Sequence, residues 1–350
     1  MGFIEADAMP APMEDAMTDG QEDTVQVMLG GDVMLGRLVG EAIRCEGRGY
    51  PLGGVAALLR GADLSMVNLE CAITGASGEW GGAPKAFYFG APPEAALSLA
   101  GAGVDCVSLA NNHVLDFDVA GLHDTLRALR AQGIGYAGAG EDADRAYAPL
   151  FLARNGIKFG MVAFCDHQAD FAAAEHTPGM AYLDLTDRAA ALAAFRRGLA
   201  HILKGGADWP ILSLHWGPNM ADRPAHYFRE LAHAAIDMGF RLLFGHSAHV
   251  FQGVEVYRGW PIFYAAGDLV DDYYVGPVFR NDHQLLFELT LTRGALRAIR
   301  LHPVLIEDCR VAPAGGAAFD YIANRAAALC AALGTQVRRA DGKLWLEWGD

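Results

Sequence analysis

The stretch TVQVMLGGDVMLGR (residues 24–37) joins an apolar run to a polar side chain through a pair of glycines. Residues 24–30 have the length and the valine, methionine and leucine content of a buried β-strand. Asp32 follows the glycines, at the point where a helix would begin. An aspartate in that place suits a turn, a helix N-cap or a metal site, so the stretch predicts a strand and leaves the role of Asp32 open.

Four more apolar runs of strand length follow, at residues 63–70, 105–110, 209–217 and 241–245. Helical patterns accompany them, at residues 53–61, 93–102, 120–132, 186–204 and 224–239. This alternation predicts an α/β fold. Hairpin patterns at 151–164 and 254–268 add antiparallel strands, as do the strands predicted after residue 283. Both halves fit a sandwich of two sheets with helices outside.

The composition limits the classes of function. The chain has 350 residues, 52% of them apolar, which is enough for one large core. Its formal charge of −15 argues against nucleic acid as a partner, because a phosphate backbone requires a basic surface. We find no apolar run long enough to span a bilayer and no signal-peptide pattern, and we therefore predict a protein without a membrane anchor.

The two ends of the chain differ in character. The first 24 residues carry seven acidic and no basic side chains, which predicts a disordered acidic tail. A single domain is predicted over residues 25–350, with its core motifs at 27–272 and C-terminal strands and a helix at 283–350. Six cysteines are scattered without CxxC spacing. Their positions favour free thiols over disulfides or a zinc ribbon, and hence a cytoplasmic location.

Each of the five strand-length runs is followed by side chains that can bind a metal ion or act in catalysis. They are Asp32 after the first run, Asn68 and Glu70 after the second, Asn111, Asn112, His113, Asp116 and Asp118 after the third, His215 and Asn219 after the fourth, and His246 and His249 after the fifth. Ligands of open α/β sheets bind beyond the carboxyl ends of the strands, so the fold would bring these side chains together. Each one also has a structural alternative, such as a loop asparagine or a core histidine. Taken jointly, they favour a metal site.

The chemistry of these side chains favours two metal ions. Imidazole, carboxylate and amide ligands suit Mn²⁺, Fe or Zn²⁺ rather than a thiolate-bound structural zinc. Two such ions about 3.5–4 Å apart can hold a bridging hydroxide and stabilise both the attacking and the leaving oxygen of a phosphoryl transfer. His113 lies directly after Asn112, where a histidine can protonate the leaving group.

Several motifs resemble one family when they are taken in order. They are GDVMLGR (31–37), NLE (68–70), SLANNHVLDF (108–117), SLHWG (213–217) and GHSAHVFQGVEVY (245–257). Over about Val27 to Asp272 the chain resembles the poly-gamma-glutamate capsule biosynthesis family of the CapA type, which is related to the calcineurin-like metallophosphoesterases. The resemblance implies a four-layer αββα sandwich of the metallophosphoesterase type, with a metal site at the ends of two central sheets.

The resemblance also implies roles for individual residues. The implied ligands of two divalent ions (Mn, Fe or Zn) are Asp32, Glu70, Asn112, His215, His246 and His249. His113 matches the family's acid histidine, and we predict that Asp116, in the same motif, is catalytic with it. A small anionic substrate is predicted to contact Arg37, Asn68, Lys85 and Asp268. Of these, Lys85 is matched through PKAFYFGAP (84–92), and the others are chosen by position.

The chain departs from the related phosphoesterases at several positions. Met34 replaces the histidine of their Asp-x-His motif, so one metal position is predicted to lack a ligand or to bind weakly. Asn219, the Ser247–Ala248 pair and Asp268 also differ from the family pattern, which predicts a substrate unlike that of a typical member.

Three functions remain open from the sequence. The first is a metal-dependent hydrolase, specifically a phosphoesterase. The second is metal-dependent chemistry on a glutamyl or other carboxylate-rich amide, suggested by the family's connection with capsule. The third is a non-catalytic scaffold with a residual metal site.

Overall fold

The computed structural model describes residues 23–349. These residues form twenty strands: β1 (Val25–Val33), β2 (Leu64–Leu69), β3 (Ala72–Ile73), β4 (Gly90–Ala91), β5 (Cys106–Ser108), β6 (Gly135–Ala137), β7 (Ala139–Gly140), β8 (Leu150–Arg154), β9 (Ile157–Cys165), β10 (Gly179–Met180), β11 (Trp209–His215), β12 (Leu242–His246), β13 (Val254–Tyr257), β14 (Trp260–Phe263), β15 (Asp268–Val270), β16 (His283–Leu291), β17 (Leu296–Glu307), β18 (Arg310–Pro313), β19 (Gln336–Ala340) and β20 (Lys343–Glu347). They also form eight α-helices: α1 (Arg37–Glu46), α2 (Ala56–Gly61), α3 (Ala95–Ala102), α4 (Asp118–Ala131), α5 (Ala143–Ala146), α6 (Arg188–Lys204), α7 (His226–Met238) and α8 (Gly316–Ala331).

The larger sheet has ten strands and combines parallel and antiparallel parts. Its strand order is β19-β20-β17-β16-β1-β2-β5-β6, with β15 paired to β1 and β18 paired to β17. Strands β1, β2, β5 and β6 run parallel, whereas β16, β17, β20 and β19 pair antiparallel. The parallel part contains the first three predicted strand-length runs, as β1, β2 and β5, and the antiparallel part is formed by the predicted C-terminal strands.

The smaller sheet has six strands in the order β13-β14-β12-β11-β9-β8. Its four central strands are parallel, and the edge strands β8 and β13 are added as antiparallel hairpins. Asn155-Gly156 and Arg258-Gly259 form the two hairpin turns, with all four residues at positive φ. The antiparallel pairs β8–β9 and β13–β14 confirm the predicted hairpins. Glycine stands in each turn, where left-handed backbone is required.

Two apolar clusters hold the sheets and helices together. One takes buried side chains from both sheets, such as Leu29 and Phe287 from the larger and Phe244 from the smaller. The other lies between the smaller sheet and helices α6 and α7, where Phe195 and Leu231 pack against strand side chains. The architecture is a mixed α/β fold with several sheets, as the alternation of strands and helices predicts.

Other predictions from the sequence have different outcomes. All six cysteines are free, and four of them are buried: Cys71, Cys106, Cys165 and Cys330. The predicted acidic tail at 1–24 lies outside the described residues except for Asp23 and Thr24. Among residues 23–349, no helix is both long and apolar enough to cross a membrane. The single domain and the cytoplasmic location remain predictions.

Candidate metal centre

The candidate centre lies where parallel strands of both sheets end. Asp32 on β1 pairs in register with Asn68 on β2, and His215 on β11 pairs with His246 on β12. The two sheets meet here, because His246 Nδ1 lies 3.9 Å from Asp32 Oδ1 and His215 Nε2 lies 3.8 Å from Glu70 Oε1. The fold thus brings together side chains that are more than 200 residues apart in the sequence.

Glycines allow the strand ends to approach one another. A Cβ on Gly31, directly before Asp32, would lie 1.8 Å from the carbonyl oxygen of Gly267. A Cβ on Gly245, directly before His246, would lie 2.1 Å from the carbonyl oxygen of Tyr264. Both contacts are far shorter than any side chain permits, so these glycines are required for the close backbone packing that positions the centre.

The first candidate ligand set, the histidine-rich group, consists of Asp32, His215 and His246, whose ligating atoms lie within 4.8 Å of one another. The Nδ1 atoms of the two histidines are 2.9 Å apart. All three residues are at most 1% exposed. Two imidazoles and a carboxylate in this arrangement match a site for Zn²⁺, Fe or Mn²⁺.

The second set, the acid-rich group, consists of Asp32, Glu70, His249 and Asp268, again within 4.8 Å. His249 Nδ1 lies 3.0 Å from Asp268 Oδ1, 3.6 Å from Asp32 Oδ2 and 3.9 Å from Glu70 Oε2. Asp32 belongs to both groups, so its carboxylate is placed to link two metal positions.

Unsatisfied atoms indicate what this centre requires. Glu70 Oε2, Asn112 Oδ1 and Asp268 Oδ2 are buried without a hydrogen-bond partner. Burial of the three neighbouring carboxylates of Asp32, Glu70 and Asp268 costs free energy unless a cation compensates their charge. The donor set of carboxylate and amide oxygens and imidazole nitrogens therefore fits divalent metal ions.

The backbone directly after β12 is left-handed at two residues beside the candidate centre. Ser247 and His249 adopt positive φ values of 103° and 57°. Ser247 donates its backbone N–H to Asp32 Oδ2 at 3.1 Å. Left-handed backbone at residues other than glycine costs about 1–3 kcal/mol each and is concentrated at functional sites.

The predicted catalytic pair is assembled next to the ligands. His113 Nδ1 and Asp116 Oδ2 are 2.5 Å apart, and the His113 Nε2 atom lies 3.9 Å from Glu70 Oε1. Phe89 stacks on the imidazole at a centroid distance of 3.9 Å. Its backbone N–H donates to the same Asp116 oxygen at 2.7 Å. The imidazole of His113 is therefore held by a stacked ring on one face and by a hydrogen bond at Nδ1.

A cavity of about 730 Å³ opens over the centre. Glu70, Asn112, His113, His215 and His249 form part of its lining. Its other lining residues are mainly aromatic or polar: Arg37, Phe87, Phe89, His167, Gln168, Asn219, Met220, Ser247, Tyr273 and Tyr274. The cavity is large enough for a small organic substrate.

The four predicted substrate contacts are placed differently. Arg37 lines the cavity and pairs with Asp272 at 3.2 Å. Asn68 is fully buried and donates to Asp32 Oδ1 at 2.9 Å. The Lys85 ammonium contacts Asp116 and the carbonyl of Asn112. Asp268 is fully buried in the acid-rich group. Asn68 and Lys85 thus contact other site residues, and Asp268 is one of the candidate ligands. Contact of these four residues with a substrate remains a prediction.

Met34 lies in the apolar core, fully buried, and its sulfur is 3.1 Å from the backbone nitrogen of Gly36. It belongs to neither ligand group. The sequence predicts a missing ligand at this position, and the acid-rich group holds four candidate ligands without it.

Two residues of the cavity, His167 and Tyr273, are not among the site residues that the sequence predicts. His167 follows β9 in CDHQ (165–168), and its ring centroid lies 5.7 Å from that of His215. Strand β9 ends in a polar run like the other five strands, but its sequence pattern predicts only one arm of a hairpin. Tyr273 packs edge-on against His249 at 5.0 Å. Tyr273 follows DLVDD (268–272), whose acidic residues beside apolar ones are the sequence signal for a buried site here.

Burial shifts the pKa values of the candidate ligands toward their neutral forms. It raises the pKa of Asp32 to about 7, with the charge of Asp268 contributing, and raises that of Asp268 to about 8. It also raises the pKa of Glu70 well above its usual value. Burial lowers the pKa of His246 to about 3 and that of His215 well below its usual value.

These shifts predict how stability depends on pH without metal. The raised carboxyl pKa values stabilise the fold at low pH, and this contribution is lost as pH rises through about 7 for Asp32 and about 8 for Asp268. The lowered histidine pKa values make stability rise with pH, but only up to the unfolded histidine pKa of about 6.5. Above that pH their contribution is constant. The melting temperature of chelator-treated protein should therefore fall between about pH 6.5 and 8. Metal binding favours the ionised carboxylates, so Mn²⁺ should diminish or reverse the fall. Calorimetry with and without Mn²⁺ checks this, and identical slopes would contradict it.

The fold and the site together define a mixed α/β protein with a candidate centre for divalent metal ions. The chain belongs to a family described as bacterial capsule synthesis protein PGA_cap, whose model matches residues 26–273. This confirms the resemblance to the capsule biosynthesis family.

Individual relatives extend the match over most of the chain. A probable polyglutamine synthesis accessory protein of Mycobacterium tuberculosis is 32% identical over 87% of this chain and 91% of its own length. The PGA biosynthesis protein CapA of Bacillus subtilis is 26% identical over 83% of this chain and 74% of its own. The capsule biosynthesis protein CapA of Bacillus anthracis is 28% identical over 72% of this chain and 61% of its own.

Proposed function

We propose that the protein is a metal-dependent hydrolase that cleaves a phosphoester of a small anionic substrate, on a four-layer αββα sandwich. The observation that carries the proposal is the sharing of Asp32 between the histidine-rich and acid-rich groups, beside a His113–Asp116 pair. Two divalent ions held there would supply Lewis acidity and an activated water for hydrolysis. We assign Glu70, Asn112, His215, His246 and His249 as further ligands.

His113 is proposed as the general acid. Its Nδ1 is bonded to Asp116, which leaves Nε2 toward the cavity and the leaving group. Burial lowers the pKa of His113 to about 4, while the Asp116 carboxylate acts in the opposite direction. An anionic substrate in the cavity adds a second negative charge, which favours the imidazolium that donates the proton.

The cavity wall is proposed to select the substrate. Arg37 carries a cation at the cavity surface, and its guanidinium lies 5.5 Å from the Phe87 ring centroid and 5.6 Å from that of Phe89. Phe87 and Tyr274 are 59% and 84% exposed. A substrate with an anionic group beside an apolar portion fits both features.

The relatives' names support a second candidate function. They refer to capsule, PGA and polyglutamine synthesis, so a glutamyl or other carboxylate-rich amide is the alternative substrate. The same ligands and the same acid would serve amide hydrolysis, because a metal centre can polarise a carbonyl as well as a phosphoryl oxygen.

Elemental analysis of untagged protein tests the proposal first. We expect about two ions of Mn, Fe or Zn per chain, as in two-metal hydrolases. A panel of phosphoesters and glutamyl amides, assayed with Mn²⁺ for phosphate and for amine release, then separates the two activities. One ion per chain would contradict the two-metal centre. Failure to bind metal even after incubation would overturn the enzyme and leave the scaffold function.

A further inference from the structure

We propose that Asp268 is a direct metal ligand and that the acid-rich position prefers a harder ion than the histidine-rich position. This inference rests on the proposed function, since it presupposes that the centre binds divalent ions. It adds a ligand to the set and predicts two positions of unequal metal preference.

The strand pairing places Asp268 beside Asp32. Strand β15 runs parallel to β1, with Asp268 in register with Asp32. Glu70 reaches the same point from the end of β2, because its backbone N–H donates to the carbonyl of Val33 at 3.0 Å. Three carboxylates therefore meet at one end of the larger sheet, each at most 1% exposed.

The distances within the acid-rich group suit ligands of one ion. Two atoms that each lie about 2.1 Å from an ion, at a right angle, are about 3.0 Å apart. His249 Nδ1 and Asp268 Oδ1 are 3.0 Å apart. The second oxygen of Asp268 is buried without a hydrogen-bond partner, as is Oε2 of Glu70. Both atoms lack the compensation that a cation would give.

A carboxylate can also support a metal-bound histidine from behind. In that arrangement the carboxylate contacts the ring nitrogen that faces away from the metal. Here a single atom, His249 Nδ1, faces Asp32 at 3.6 Å, Glu70 at 3.9 Å and Asp268 at 3.0 Å. An ion shared by Asp32, Glu70 and His249 would therefore lie on the same side of the ring as Asp268. The geometry points to direct ligation.

The two groups then differ in chemistry. The acid-rich group offers three carboxylates and one imidazole, whereas the histidine-rich group offers one carboxylate and two imidazoles. Carboxylate oxygens suit Mn²⁺, and imidazole nitrogens suit Zn²⁺ and Fe. Zn²⁺ binds most N/O sites more tightly than Mn²⁺, so the difference concerns the ratio of the two affinities at each position.

Displacement measurements on the full chain test the inference. Protein stripped of metal and loaded with Mn²⁺ is titrated with Zn²⁺, and bound Mn²⁺ is followed by electron paramagnetic resonance. We expect two phases, the second requiring at least about tenfold more Zn²⁺, because carboxylates favour Mn²⁺. A single phase would overturn the difference between positions, and this test needs no variant.

Asp268→Asn tests the ligand itself. It should weaken one Mn²⁺ by more than about 100-fold and leave the other bound, since loss of an outer supporting residue costs only about 10- to 100-fold. Asp208→Asn is the control: Asp208 precedes β11, belongs to neither group and accepts a hydrogen bond from the Lys158 backbone N–H at 2.9 Å. A loss of 100-fold or less in Asp268→Asn, or equal losses in both variants, would overturn direct ligation. Wild-type protein that binds no Mn²⁺ would instead overturn the proposed function.

Discussion

Asp32→Asn is expected to remove both metal ions and to reduce turnover by at least about 10³-fold. Asp32 is the one residue that the two ligand groups share, so its carboxylate serves both positions. Asparagine keeps the volume but loses the charge. It also places an amide N–H₂ among groups that donate to Asp32, namely Asn68 Nδ2 at 2.9 Å and the Ser247 N–H at 3.1 Å. The ions supply several kcal/mol of transition-state stabilisation, and about 1.4 kcal/mol corresponds to tenfold in rate.

Asp208→Asn provides the control for this variant. Asp208 lies just before β11, at the opposite end of the strand from His215. It accepts hydrogen bonds from the Lys158 backbone at 2.9 Å and from Arg293 at 2.8 Å. We expect it to retain both ions. Elemental analysis and turnover measured side by side decide the matter: an Asp32→Asn protein with two bound ions would contradict the shared position.

The sequence predicted which residue types end the strands better than it predicted their partners. Asp32, His215 and His246 follow or close long apolar runs, and periodicity detects such runs in a single sequence. The sequence pattern predicts one α/β succession, whereas the structure divides the runs, with β1, β2 and β5 in the larger sheet and β11 and β12 in the smaller. Membership of a sheet depends on pairings across hundreds of residues, which local patterns do not encode.

Long-range pairing also decides the surroundings of Lys85 and Asp268. The resemblance of PKAFYFGAP (84–92) to a family strand predicts contact of Lys85 with an anionic substrate, which stays a prediction. In the fold, the loop before β4 carries its ammonium to Asp116. Asp268 begins a three-residue strand, too short to show a period, and only its pairing with β1 places it beside Asp32. The sequence does not mark the start of helix α1 (Arg37–Glu46), because its N-cap residue is Gly36, which has no side chain to form a capping hydrogen bond.

His113→Asn is expected to lower kcat by about 10²- to 10⁴-fold while both metal ions stay bound, the range typical of a lost general acid. His113 belongs to neither ligand group, and its Nε2 atom lies 3.9 Å from Glu70 Oε1. Asparagine retains an amide that can hydrogen-bond to Asp116, so the buried carboxylate keeps a partner. What the substitution removes is the ring nitrogen that faces the cavity.

The leaving group separates an acid from a residue that merely supports the site. Aryl esters with acidic leaving groups need little protonation, whereas alkyl esters need a proton to depart. The loss in His113→Asn should therefore be much larger for alkyl than for nitrophenyl phosphates. His233→Asn is the control, because His233 is also paired with a carboxylate, Glu255 at 3.0 Å, but does not line the cavity. Equal losses on both ester classes, or full turnover in His113→Asn, would show that the proton comes from another group.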